Sequence, residues 1–208
     1  MKEKIEIQKM DEKSFDAIIK SQHYLHRANT TKPAIHYKFI CRNQIVALQE
    51  WSAVFKPVLL RFPFLKHLEI IDNSRYLIIK EENLFEKVLD IYNLGSRALA
   101  MGIKRIKKDW FELTNVKPKL LITYVDQNRG FNGTVYKASN WIEIENSAGK
   151  NYSKEKKKDY HPTKKKTFIF PFNESSFDWR PVTFFDKDYL RSNWYKLNSL
   201  AQYNYKPK

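Results

Sequence analysis

Apolar and polar positions alternate in short runs over the first third of the chain and take up helical spacing later. Lys4 to Gln8 alternates as a first strand. Asp11 stands where it can cap a helix whose Phe15, Ile18 and Ile19 form one apolar face. Ala34 to Cys41 and Ile45 to Ala53 predict two strands joined through Arg42-Asn43-Gln44 as a hairpin. Glu69 to Ile71 and Arg75 to Ile79 predict two further strands around a turn at Asp72-Asn73-Ser74, whereas Lys56 to Lys66, with two prolines, fits no element. Residues 83–93 predict a short helix. A longer amphipathic helix starts near Gly95, carries Leu99, Ile103, Ile106 and Trp110 at helical spacing, and stops at Asn115 to Pro118. Leu120 to Val125, Trp141 to Glu145 and Thr167 to Phe172 complete the strands. This alternation predicts an α/β domain with a mixed sheet.

The segment from Asp126 to Trp141 holds the densest chemistry. A strand delivers Asp126 into a loop with two turn glycines, Gly130 and Gly133; about two turns of helix then carry Tyr136 towards the next strand. An acid and a tyrosine brought to one crevice suit proton transfer. Simpler roles exist for the same residues. Asp126 can cap its own loop, Tyr136 can pack, and Arg75 can pair with Asp72 or Glu69. Trp110 and Trp141 can be core, and His23 and His26 can be ordinary loop residues.

Charge changes the picture more than composition does. The chain has 208 residues, 42% hydrophobic and 15% aromatic, enough for one sizeable folded domain. Its net charge of +15 favours a polyanionic partner, and double-stranded DNA is the expected one. Eight lysines cluster in a loop expected at 147–166: Lys150, Lys154, Lys156, Lys157, Lys158, Lys164, Lys165 and Lys166. Tyr152, Tyr160 and His161 lie among them, and Trp141 is a further base-stacking candidate. An aromatic tail, 173–208, is expected to pack on domain 1–172 or on a partner. Cys41 is the single cysteine, which removes a disulfide framework. No apolar run is long enough for a membrane helix. A soluble, cytoplasmic protein is expected.

The element order resembles the GNAT acyltransferase fold, a mixed and mostly antiparallel sheet flanked by helices. Asn132, Tyr136, Asn140 and Trp141 match the spacing of that family's last helix and following strand, with Asn-Trp in place of Gly-Phe. The resemblance implies that Tyr136 protonates a departing thiolate and that acetyl-CoA or a related acyl donor is the cofactor, with Gly95, Ser96 and Arg97 at its phosphates. Of the family's glycine turn this chain keeps only Gly95; Asp90 and Asn93 occupy the other positions.

More specific words resemble the Mom family of phage DNA-modification enzymes. They are Gln22-His-Tyr-Leu-His-Arg27, Asn73-Ser-Arg-Tyr-Leu77, Tyr124-Val-Asp126 and Gly133-Thr-Val-Tyr-Lys-Ala-Ser-Asn-Trp141. Asn93-Leu-Gly-Ser-Arg-Ala-Leu99 and Lys107-Lys-Asp-Trp110 also look like DruA of the Druantia antiphage system. The Mom resemblance implies a transferase acting on the N6 amino group of adenine in DNA, shielding phage DNA from restriction, with His23, Tyr24, Arg75, Asp126 and Tyr136 in its catalytic site. The DruA resemblance implies a DNA-binding defence component without transferase activity. A metal-dependent nuclease using His23, His26 and Asp126 is a third reading.

Overall fold

The computed structural model describes residues 3–59, 61–62, 65–79, 91–149 and 163–172. Residues 83–90 of the helix expected at 83–93, the lysines at 150–158 and the tail at 173–208 lie outside the described residues. Strand β1 (Glu6–Lys9) leads into helix α1 (Glu12–Gln22). Asp11 caps that helix, its side chain accepting from the Ser14 N–H at 2.9 Å, and Phe15 and Ile19 are its buried face. Strands β2 (Ala34–Cys41) and β3 (Gln44–Ala53) form the expected hairpin. Arg42 and Asn43 both adopt positive φ, 51° and 61°, the twist a two-residue hairpin loop requires. Part of the unassigned proline segment forms a single turn, α2 (Lys56–Leu59).

Strand β4 corrects the sequence expectation. Ile70–Ile78 is one continuous strand, and Asp72-Asn73-Ser74 lies inside it. The register steps from Trp51↔Asn73 to Glu50↔Arg75, which leaves Ser74 as the extra residue of a bulge. Pairing with β3 supplies the backbone hydrogen bonds that the local turn chemistry was expected to supply.

Helix α3 (Leu94–Thr114) follows, ended by Asn115 in the left-handed conformation, φ 57°. Strand β5 (Leu120–Asp126), the one-turn helix α4 (Thr134–Lys137), β6 (Ile142–Gly149) and β7 (Thr163–Pro171) complete the described fold. Lys164, Lys165 and Lys166 therefore belong to β7 rather than to a loop.

The seven strands run in the order β1-β2-β3-β4-β5-β7-β6. All neighbours are antiparallel except β4 and β5, which pair in parallel over only Ile70↔Leu120, Ile71↔Leu121 and Asp72↔Ile122. Beyond Asp72 the two strands have no register, so a gap opens between them. The fold is α/β with a mixed, mostly antiparallel sheet flanked by helices. Among the described residues no helix is long and apolar enough to cross a membrane.

One face of the sheet carries the main core, with Tyr37, Trp51, Ile71, Leu121 and Phe168 packed with Leu99, Ile106 and Trp110 of α3. The opposite face carries two separate clusters. Phe15, Ile19, Leu48 and Ile79 meet under α1; Val54, Val58, Leu59, Ile70 and Ile122 meet under α2.

Candidate active site

Strand alternation places the site between those two clusters. Along β3 and the residue that follows it the face runs Leu48, Glu50, Ser52, Val54, so two buried polar residues separate two core residues. On β4 it runs Ile70, Asp72, then Ser74 and Arg75 together, then Leu77, because the bulge at Ser74 brings consecutive polar residues to one side. An aliphatic side chain buried at each polar position would contribute roughly 1.5–3 kcal/mol. A face kept polar here gives up that stabilisation.

Glu50 is 1% exposed. Its Oε1 accepts from Asn29 Nδ2 and, at 3.0 Å, from Ser74 Oγ. Asn29 Nδ2 also donates to Ser52 Oγ at 3.0 Å, which ties the loop before β2 onto β3 and β4. Glu50 Oε2 and Asp72 Oδ1 are both sealed from solvent without a hydrogen-bond partner. The His36 ring lies 4.0 Å from Glu50 Oε2, but burial keeps its imidazole neutral, and the positive charge that acts on Glu50 is that of Arg75. Burial pushes the Glu50 carboxyl up. Burial, and next the Glu50 charge, raise Asp72 to about 7.

The residues implicated by resemblance surround this pair. His23 ends α1, is 3% exposed, and accepts from the Leu25 N–H through Nδ1 at 3.2 Å. Burial, then the Arg75 charge, lower it to about 4, so it is neutral at physiological pH. Arg75 donates to the Arg27 carbonyl at 3.4 Å and to the Ser74 carbonyl at 2.6 Å, and it is these carbonyls that hold its guanidinium. The Tyr24 ring lies tilted against His23, centroids 4.5 Å apart; burial and then the Asp126 charge push its hydroxyl up. Asp126 is 7% exposed and caps the loop that follows, accepting from the Asn128 N–H at 3.0 Å. Capping and a place in the crevice are therefore compatible. Lys165 stands opposite Asp126 in the β5–β7 ladder, and its charge reaches Asp72.

Tyr136 lies on the other side of the sheet gap. Its hydroxyl donates to Asn73 Oδ1 at 3.0 Å, and Thr123 Oγ1, 3.4 Å from it, donates to the Asn73 carbonyl. The widening between β4 and β5 is thus lined by Asn73, Thr123 and Tyr136. Burial raises the Tyr136 hydroxyl far above neutrality, so it holds its proton. The Asp72 charge also acts on it, linking the two faces through the gap.

Other candidates fare differently. Trp141 is 5% exposed and stacks on Trp51 with centroids 6.5 Å apart, so it is core and offers no face to a base. Arg97 reaches back to the Glu3 carbonyl, away from Tyr136. Gly95 and Ser96 do border the Tyr136 helix: a Cβ on Gly95 would meet Val135 at 3.0 Å, and Ser139 Oγ donates to the Ser96 carbonyl at 3.3 Å. Lys166 pairs with Glu143 at 3.1 Å. His26 Nδ1 bonds the Lys20 carbonyl at 3.1 Å, and no group of three His, Cys, Asp or Glu among the described residues is arranged to hold a metal. The nuclease reading thereby lacks its ligand set. Glu50, Asp72, Asn73 and Asn29 were not singled out from sequence; the one available signal was charged residues at inward positions of otherwise apolar strands.

The model of the Mom protein family matches residues 4–205. The chain belongs to the Mom protein family. The sequence matches no curated protein. Among solved structures, the IAA acetyltransferase from Bacillus cereus aligns with a TM-score of 0.50 at 10% identity, covering 81% of this chain and 100% of that one. An N-acetyltransferase from Staphylococcus aureus aligns with a TM-score of 0.47 at 10% identity, covering 81% and 97%. At such identity the likeness to the Bacillus cereus enzyme shows the fold alone, an acetyltransferase-type sheet on which this Mom-family chain builds its crevice.

Proposed function

We propose that this Mom-family protein is a DNA-modifying transferase acting on the N6 amino group of adenine. The observation that carries the reading is the convergence of His23, Tyr24, Arg75 and Asp126, from three separate segments, on a crevice joined to Tyr136 through the sheet gap. The adenine amine is a weak nucleophile because its lone pair is conjugated into the ring. Asp126 is the group suited to orient that amine and take its proton as the new bond to nitrogen forms. Tyr136 holds a proton at its hydroxyl and, steadied by Asn73, can give it to a leaving group. Arg75 stabilises negative charge in the crevice, and neutral His23 leaves that role to it.

An acyl thioester, the donor class used on this fold, would supply an activated carbonyl. The described residues fit its reactive end: a proton-holding tyrosine stands in the β4–β5 gap beside the first turn of α3, where the Leu94 and Arg97 N–H groups bond the Ile91 and Asn93 carbonyls and leave those of Gly95 and Ser96 for an anion. Gly95 and Ser96 are the residues that would hold its anionic part; Arg97, committed to Glu3, is not. The acceptor base has to leave the duplex stack to reach Asp126.

Mass spectrometry of nucleosides from plasmid DNA co-expressed with the protein tests the reading. Modified deoxyadenosine is expected, with loss on Asp126→Asn. Folded protein that leaves only unmodified nucleosides while binding DNA would replace it with the DruA-like binding component.

A further inference from the structure

The loop after β5 carries an exposed aromatic that the proposed chemistry does not use. Phe131 is 46% exposed. The loop cannot easily fold it inward, because it is anchored on both sides. Asp126 accepts from the Asn128 N–H, and the Gly130 N–H closes on the Gln127 carbonyl at 3.0 Å. Gly133, at φ 73°, is pressed against Phe168. The Phe131 ring stands 5.4 Å from Tyr24, which stands 4.5 Å from buried His23. Three rings therefore step from the surface to the crevice. The Arg129 guanidinium lies 6.0 Å from the Tyr24 centroid, over its face, and Arg27 is exposed nearby on the loop that Arg75 holds.

We propose that Phe131 and Tyr24, flanked by Arg129 and Arg27, are the docking face for an unpaired nucleobase of the DNA strand being acted on. The inference rests on nucleic acid being the acceptor, and it specifies the form in which that acceptor arrives. An aromatic ring stacks on any base but meets no free base face along an intact duplex, and guanidinium groups suit the flanking phosphates. The net charge of +15 fits the same partner. The steps from Phe131 to Tyr24 would guide an extruded base towards Asp126.

Titration of a single-stranded oligonucleotide carrying 2-aminopurine, read by its fluorescence at fixed salt, tests the face. Wild-type protein is expected to quench the probe, and Phe131→Ala to weaken binding about tenfold. Phe131→Trp should retain affinity and Phe131→Leu should lose it, since stacking rather than apolar area is at stake. Arg129→Gln should weaken binding and, with the titration repeated at several salt concentrations, lower the salt slope by about 0.7. All four side chains replace exposed ones, so unchanged thermal melts verify the fold. Wild-type affinity in Phe131→Ala, or in Phe131→Leu, overturns the proposal. Failure of the adenine chemistry is separate, because it appears in digested DNA and not in this titration.

Discussion

Asp72 and Glu50 hold two carboxyl oxygens out of water without partners, and the cost of that arrangement depends on pH. Below about pH 4 the Asp72 carboxyl is protonated in folded and unfolded chains alike, and its burial costs little. Between about 4 and 7 the unfolded chain loses this proton while the folded one keeps it, so stability falls as pH rises through that window. A rise from 3.8 to about 7 corresponds to at most about 4 kcal/mol. His23 acts in the other direction: its value of about 4 makes folding less favourable as pH falls below its ordinary 6.5. Asp72→Asn isolates the first effect. We expect it to raise the melting temperature by several degrees at pH 8 and by little at pH 4.5; equal shifts at both pH values would show that Asp72 does not carry the proton. The sequence could not single out this pair. His23, Tyr24, Arg75, Asp126 and Tyr136 stood in contiguous words, but Glu50 and Asp72 become neighbours only through the β3–β4 register, which is non-local.

At the scale of elements, most helices and hairpins were legible because their signals are local: the Asp11 cap, the two-residue loop at Arg42 and Asn43, the spacing of α3. Strand β4 was not. Asp72, Asn73 and Ser74 are turn formers by local chemistry, yet antiparallel pairing with β3 outweighs that tendency and turns the polar run into a bulge. The same bulge aims Ser74 and Arg75 at the crevice, so the misread residues are the ones that build it. The β5–α4 connection allows a quantitative comparison. Gly130 and Gly133 both have positive φ, 77° and 73°. A Cβ at Gly130 would meet nothing within 4 Å, whereas at Gly133 it would fall 2.3 Å from the Phe168 ring. Gly130→Ala should therefore cost about 1–2 kcal/mol from backbone strain alone. Gly133→Ala adds overpacking of a further 1–3 kcal/mol or so and should displace Tyr136 as well. Urea melts of the two variants measure the difference, and equal losses would mean that α4 is free to shift away from Phe168.

For the whole molecule the question is where duplex DNA lies relative to the crevice. The charge of +15 belongs to the entire chain, and the described surface spends part of its cations internally: Lys137 and Lys166 pair with Glu143, Arg42 with Glu3, Lys119 with Glu69. Lysines 156 to 158 stand in the sequence between β6 and β7, and the β5–β7 ladder ends at Asp126↔Lys165. On the proposed function, that segment is the candidate contact for the duplex flanking an extruded base. Each phosphate contact contributes about 0.9 to the slope of log affinity against log salt. Replacing Lys156, Lys157 and Lys158 together by Ala should therefore lower the slope for a duplex by about 2 to 3, measured by titration at several salt concentrations. It should leave the 2-aminopurine response of the single strand largely in place, because that response belongs to Phe131 and Tyr24. A duplex slope identical to wild type would move the DNA surface off the β6–β7 connection and onto the Arg27–Arg129 side of the crevice.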